Sequence, residues 1–188
     1  MEIIKIKKKI QKKYLSQIKK ILRNDGVIVY PTDTAYALGG IYSSGKAINK
    51  ILKIKNRQDR KFTLVASDLK QVRKFFELNL KEQKLAKQFW PGPLSIVVSK
   101  NYAVRVPNNE IAKKLCRLAG SPLIATSANI SGQATIYSAK EAVKQFADKK
   151  NQPDLVVDFG RLKKIKSSTV VLIKNKEIII LRKGSVKF

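Results

Sequence analysis

Arg105 sits inside an apolar stretch, Ala103-Val104-Arg105-Val106-Pro107. Burying a guanidinium without a partner is costly, so this side chain is expected to face either a protein carboxylate or a bound anion such as a substrate carboxylate. A second cationic feature is Lys55-Asn56-Arg57-Gln58-Asp59-Arg60-Lys61, with four cations in seven residues. Such a run suits a solvated helix end, or a clamp for a triphosphate, whose charge of about −4 calls for several converging cations. Small hydroxyl residues follow apolar runs at Tyr30-Pro31-Thr32-Asp33-Thr34, at Ala125-Thr126-Ser127-Ala128-Asn129-Ile130-Ser131-Gly132 and at Ser168-Thr169. Each cluster could be a turn with a helix cap. Each also lies where open α/β sheets bind ligands, just past a strand end, and the donors of the 125–132 run favour an oxyanion or phosphate nest. Trp90-Pro91-Gly92-Pro93 reads as a rigid turn with a core anchor, and Arg182-Lys183-Gly184 closes a late strand.

Other chemistries drop out. The chain has no His and one Cys, Cys116, which excludes zinc sites of the Cys/His type, a histidine base and an intramolecular disulfide. The run Gly40-Ile41-Tyr42-Ser43-Ser44-Gly45-Lys46-Ala47 spells a phosphate loop up to its lysine, but Ala47 stands where a hydroxyl should hold magnesium. It is read as a decoy, also because the nearest apolar strand ends at Tyr30-Pro31. No two glycines are separated by a single residue, so a dinucleotide fingerprint is absent.

The elements that must position these residues alternate along the chain. Apolar residues at helical spacing predict helices over 10–22, 44–55, 81–89 and 109–118, a helix from a Ser67 or Asp68 cap through Phe76, and another from Ser138. Strands are expected at 27–30, 63–65, 94–98, 103–106, 123–126, 155–157, 169–173 and 178–181, with hairpins turning at 99–101 and at Asn175. Interleaved helices and strands give an α/β protein with a mixed sheet.

The chain has 188 residues, and 32 Lys plus 8 Arg against 13 acids give a formal charge of +27. The length suggests one domain, large enough to fold without a disulfide or metal staple. The charge is what a nucleic-acid or polyphosphate binder carries, although abundant Lys on solvated positions would give the same excess. Arg is the scarcer cation, and its fixed fork suits phosphate and carboxylate. No apolar run approaches the ~20 residues of a membrane span. The N-terminus lacks the features of a secretory signal, and a cytoplasmic location is expected.

In order along the chain, Tyr30-Pro31-Thr32-Asp33-Thr34, Lys55-x-Arg57, Trp90-Pro91-Gly92-Pro93-Leu94, Val104-Arg105-Val106-Pro107-Asn108, the 125–132 run, Ser168-Thr169-Val170-Val171 and Leu181-Arg182-x-Gly184 together resemble the YrdC-like threonylcarbamoyl-AMP synthase family. Any one of these motifs is weak, whereas the collinear set covers about 15–186. The resemblance implies a YrdC-like fold in one domain over 1–188: a twisted mixed, largely antiparallel sheet with flanking helices and a basic concave cleft. It implies that L-threonine, bicarbonate and ATP react there to give threonylcarbamoyl-AMP and pyrophosphate. The product would pass to a separate tRNA threonylcarbamoyl transferase for modification of a tRNA adenosine.

By the same resemblance, Lys55, Arg57 and Lys61 hold the triphosphate, with Lys55 and Arg57 as the catalytic pair and Asn129 and Arg182 completing the ATP site. Thr34, Arg105, Ser127 and Ser168 bind threonine, Arg105 pairing with its carboxylate. Magnesium travels with the ATP phosphates, without a dedicated protein site. The chain departs from the family's pattern at Ala37 (usually Gly), Phe62 (usually Pro), Ala66 (often His) and Leu172 (often Asp). It ends at Phe188, so the added C-terminal domain of longer relatives is not expected. The rival reading is a non-catalytic module that holds double-stranded RNA or tRNA in the same cleft, which the charge would also serve.

Overall fold

The computed structural model describes residues 1–188. The first half runs β1 (Glu2–Lys5), α1 (Lys12–Arg23), β2 (Ile28–Pro31), β3 (Tyr36–Gly39), α2 (Gly45–Lys55), β4 (Phe62–Val65), α3 (Leu69–Phe75) and α4 (Leu80–Phe89). It continues through β5 (Leu94–Val97), β6 (Tyr102–Arg105), α5 (Glu110–Ala119), β7 (Leu123–Ile124), β8 (Thr126–Ser127), α6 (Ala139–Phe146), β9 (Leu155–Asp158), β10 (Thr169–Lys174) and β11 (Glu177–Arg182). The six helices fall where apolar spacing puts them. Asp68, Asn79, Asn109 and Ser138 each accept from a first-turn N–H, and Asn79 with Glu82 forms a reciprocal capping box.

The strands build two sheets where one was expected. The first has the order β1-β9-β2-β3-β8 and the second β11-β10-β5-β6-β4-β7. Five of the nine strand pairs are antiparallel, so both sheets are mixed. Two strands escape the sequence pattern: β1, and β3, which is short and ends in glycine. The expected strand 123–126 is broken at Ala125, where the chain leaves the second sheet and enters the first. Gly39 makes that crossing possible, because a Cβ there would lie 1.7 Å from the Ile124 carbonyl oxygen.

Strand alternation sorts the core into layers. Ile28, Tyr30, Leu155 and Val157 face α1 and α5, packing with Ile18, Leu22, Ile111 and Leu115. Their neighbours Val27, Val29 and Val156 point the other way, onto Ile51 and Ile54 of α2 and Phe146 of α6. A smaller cluster sets Leu85 and Ala86 of α4 on Leu94, Ile96 and Val171 of the second sheet. The first sheet is thus covered on both faces. The second is covered by α4 only towards its β10 side, and no helix of the chain is long and apolar enough to cross a membrane.

Candidate active site

Between the sheets lies a cavity of about 510 Å³. The first sheet and the chain after it supply Thr32, Thr34 and Ser127; the second supplies Arg105, Ser168 and Arg182; the loop after α2 supplies Arg57 and Lys61. Seven of the nine sequence-proposed site residues therefore line one space. The remaining two, Lys55 and Asn129, stand behind its wall.

Lys55 closes α2 with its side chain buried, and its ammonium donates to the carbonyls of Ser127 and Asn129, both at 2.7 Å, and to Asn129 Oδ1 at 3.3 Å. Three acceptors match its three donors, yet none is a carboxylate. Burial first, then the Arg57 charge, pull its pKa from 10.5 down to about 8. Asn129 Nδ2 in turn donates to the Gln133 carbonyl. The pair fixes the turn that carries Ser127.

That turn is not the anion nest its composition suggests. The N–H groups of Ala128, Asn129 and Ser131 donate to the carbonyls of Tyr36, Ser127 and Lys55, and that of Ile130 donates to Gln145 Oε1. With these donors spent inside the protein, Ser127 is left to present its side chain.

Arg57 is presented rigidly. Its Nε donates to the Asp59 carbonyl at 2.7 Å, its Nη2 donates to the Lys61 carbonyl, and its guanidinium lies 4.9 Å over the Phe62 ring. Phe62, a departure from the family's proline, thus serves as a platform. Arg182 is tied by Nε to the Ser168 carbonyl at 3.0 Å and by Nη2 to Ser168 Oγ at 2.9 Å; that hydroxyl also lies 3.0 Å from buried Ser95 Oγ. Burial, then the charge of Arg105, lowers the Arg182 pKa below its ordinary value.

Arg105 is 3% exposed. The sequence left a protein carboxylate or a ligand open as its partner, and the structure supplies the carboxylate: Nη1 donates to Asp33 Oδ1 at 2.5 Å, while Nη2 reaches Thr34 Oγ1 at 3.2 Å. Its Nε–H is buried without a partner. Asp33, missed as a site residue, also accepts from the Asn108 N–H at 3.2 Å. Thr32, likewise missed, organises this turn: its hydroxyl donates to the Ala35 carbonyl at 2.7 Å and accepts from the N–H groups of Thr34 and Ala35. The signal was present in Thr-Asp-Thr, a short run that hydrogen-bonds its own backbone.

An extended crossover from β9 to β10 passes along the cavity and contributes Ile165, Lys166 and Ser167. It is pinned where Ser185 Oγ donates to the Lys166 carbonyl at 2.8 Å, and by Gly184, whose added Cβ would lie 2.2 Å from the Ser167 carbonyl oxygen. Trp90 is half-buried and packs against the core, its Nε1 donating to the Leu94 carbonyl.

The phosphate-loop look-alike does follow a strand, β3, contrary to the sequence reading. It is nonetheless filled from within. Ser44 caps α2 and donates to Asp25 Oδ1 at 2.6 Å, and Lys46 lies 3.9 Å from the same carboxylate.

The two-sheet α/β fold thus brings cations and hydroxyls together around one cavity between the sheets. The family model described as telomere recombination (Sua5, YciO and YrdC) matches residues 20–184, and the chain belongs to that family. It is 30% identical over 198 residues to a putative threonylcarbamoyl-AMP synthase of Methanocaldococcus jannaschii, covering 99% of this chain and 93% of that one. Among solved structures it resembles Pyrococcus abyssi Sua5 complexed with L-threonine, with a TM-score of 0.88 and 29% identity, over 98% of this chain and 58% of that one. The chain thus spans a little over half of that relative. It also resembles Escherichia coli YciO, with a TM-score of 0.83 and 28% identity, over 98% of this chain and 96% of that one.

Proposed function

We propose that the chain is an L-threonylcarbamoyladenylate synthase, which joins L-threonine, bicarbonate and ATP into threonylcarbamoyl-AMP with release of pyrophosphate. The observation that carries this reading is the meeting of Arg57, Lys61, Arg105 and Arg182 with Thr34, Ser127 and Ser168 around one cavity. In the reaction bicarbonate gives up water as its carbon passes, as carbon dioxide, to the threonine nitrogen, which loses a proton. An oxygen of the resulting carbamate then attacks the α-phosphorus of ATP, breaking its bond to the in-line leaving pyrophosphate. Neither step requires a histidine or a nucleophilic side chain. Both require two anions to be held together and their charge neutralised.

Arg57 and Lys61 take the triphosphate, with Arg182 completing that end. Lys55 and Asn129 support the ATP site from behind the wall, by holding the Ser127 turn. Thr34, Arg105, Ser127 and Ser168 take threonine. The guanidinium of Arg105, fixed by Asp33 and Thr34, borders the cavity together with Ser127 and Ser168, in keeping with a threonine carboxylate held there. No carboxylate lines the cavity, so magnesium would enter on the phosphate oxygens of ATP, where it screens their charge. The product would be consumed by a tRNA threonylcarbamoyl transferase.

The test is incubation of the protein with ATP, magnesium, bicarbonate and single amino acids, with pyrophosphate release and the mass of the adenylate as readouts. Threonine-dependent pyrophosphate and threonylcarbamoyl-AMP are expected. If no amino acid supports release while salt-sensitive binding of double-stranded RNA persists, the protein is an RNA-binding module instead.

A further inference from the structure

A different part of the second sheet is open. Its outermost strand, β11, pairs with β10 alone, and no backbone group of residues 178–181 bonds outside that ladder. The strand reads Glu177-Ile178-Ile179-Ile180-Leu181-Arg182, and Ile179, Ile180 and Leu181 are 39%, 40% and 57% exposed. Exposed edges invite pairing and are ordinarily blunted by shortness, by charges along the strand or by proline. The other three edges in this molecule follow that rule. β7 and β8 have two residues each, and β1 is four residues with Glu2 and Lys5 at its ends. β11 also ends in charges, Glu177 and Arg182, and is irregular where it faces Val170 and Val171, but it differs in offering four consecutive apolar residues between them.

The two faces beside this edge differ. Ile178 and Ile180 lie opposite Ile173 and Val171, on the side covered by α4. Leu181 borders an apolar groove of about 580 Å³ on the uncovered side, together with Val170, Leu172, Val97 and Ala103. The groove lies over β10, β5 and β6, so a strand added outside β11 would set alternate side chains beside Ile179 and Leu181, at the groove's outer end. Lys174 and Lys176 at the turn of the β10–β11 hairpin and Lys183 just past β11 outnumber its one acid, Glu177. A second copy would bring another +27 and the same lysines against the first, so the charge disfavours self-pairing.

We infer that β11 is a docking strand for an extended segment of a partner protein whose side chains alternate between apolar and acidic. The main-chain ladder supplies attachment, exposed Ile179 and Leu181 select the apolar row, and Lys174, Lys176 and Lys183 at the ends of the hairpin select the acidic residues.

The probe is a short labelled peptide of alternating Val and Glu, compared by fluorescence anisotropy with a shuffled peptide of the same composition and with a Val/Lys version. The alternating Val/Glu peptide is expected to bind at least about tenfold more tightly than either control, since strand addition needs both pattern and charge. Amide exchange at 178–181 should slow on binding. Ile179→Lys should weaken the peptide at least about tenfold through the cost of a charge in the new pairing, with pyrophosphate release retained. Ile179→Thr, a milder strand-compatible change, should weaken it less. Equal binding of the shuffled peptide, protection elsewhere than 178–181, or unchanged binding by both variants would overturn the assignment. So would dimerisation of the protein alone with β11 protected.

Discussion

The two ends of helix α2 carry similar charges and serve opposite ends. At its N-terminus, Ser44, Gly45 and Lys46 resemble a phosphate loop, and the helix dipole favours an anion there. That anion is already present: Asp25 takes the Ser44 hydroxyl and neutralises Lys46. At the C-terminus the dipole opposes an anion, yet Lys55, Arg57 and Lys61 cluster beside the inter-sheet cavity, and the one carboxylate among them, Asp59, is exposed and lies 3.5 Å from Arg57. A glycine-lysine pattern is therefore a weaker guide to phosphate than the balance of nearby carboxylates. Position relative to the sheets decides which end is available.

The largest loss is expected at Arg57. Arg57→Ala should lower threonine-dependent pyrophosphate release by about 100-fold or more, the scale of losing a preorganised charge at a developing anion, with an unchanged circular dichroism spectrum. Retained turnover would move triphosphate binding away from this end of α2. Arg105→Leu should weaken threonine binding about 30-fold more than ATP binding in calorimetric titrations. It should also lower stability by about 3–5 kcal/mol, because it strands the Asp33 carboxylate in the interior. Equal losses in both affinities would remove Arg105 from the threonine site.

Lys55 sharpens the contrast through pH. Its folded pKa of about 8 lies below the ordinary 10.5, so the unfolded chain binds more protons between those values and this residue makes the fold more stable as pH rises across that window. Lys55→Met should lose that rise when urea unfolding is compared at about pH 7.5 and 9.5, and should raise KM for ATP by about five- to tenfold through the released turn. A wild-type pH response in the variant would show that Lys55 is not the group involved. At the opposite end, Lys46→Ala should change turnover by less than about twofold, since it removes only an exposed ion pair. A larger loss would reinstate the phosphate-loop reading.

Much of this geometry was legible in the residues. All six helices announced themselves through 3.6-residue spacing, and a cation within an apolar strand pointed to an anion beside Arg105. Proximity of Arg57, Lys61, Ser127, Ser168 and Arg182 followed from family motifs, because nothing local tells the second half of the chain where the first half lies. What stayed hidden has physical causes. β3 is only four residues and ends at Gly39, so it carries little period. The change of sheet at Ala125 leaves no mark in the run 123–126, because both strands are equally apolar or β-branched up to that point. Asp33 was invisible as Arg105's partner because an exposed-looking turn residue gave no sign of its burial, and the spent donors of 128–131 depend on acceptors distant in sequence.

The crossover along the cavity also dictates when the site can exist. Its walls come from positions spread between Thr32 and Arg182. A growing polypeptide can assemble the α1, α2 and β2 region early, but the cavity stays unfinished until Arg182 has been synthesised and β11 has found β10. Contacts of such large sequence separation form late and slowly relative to local ones. A chain halted before residue 182 would keep most of both sheets but lack Arg182, so in this architecture the cavity wall is among the last features the newborn molecule completes.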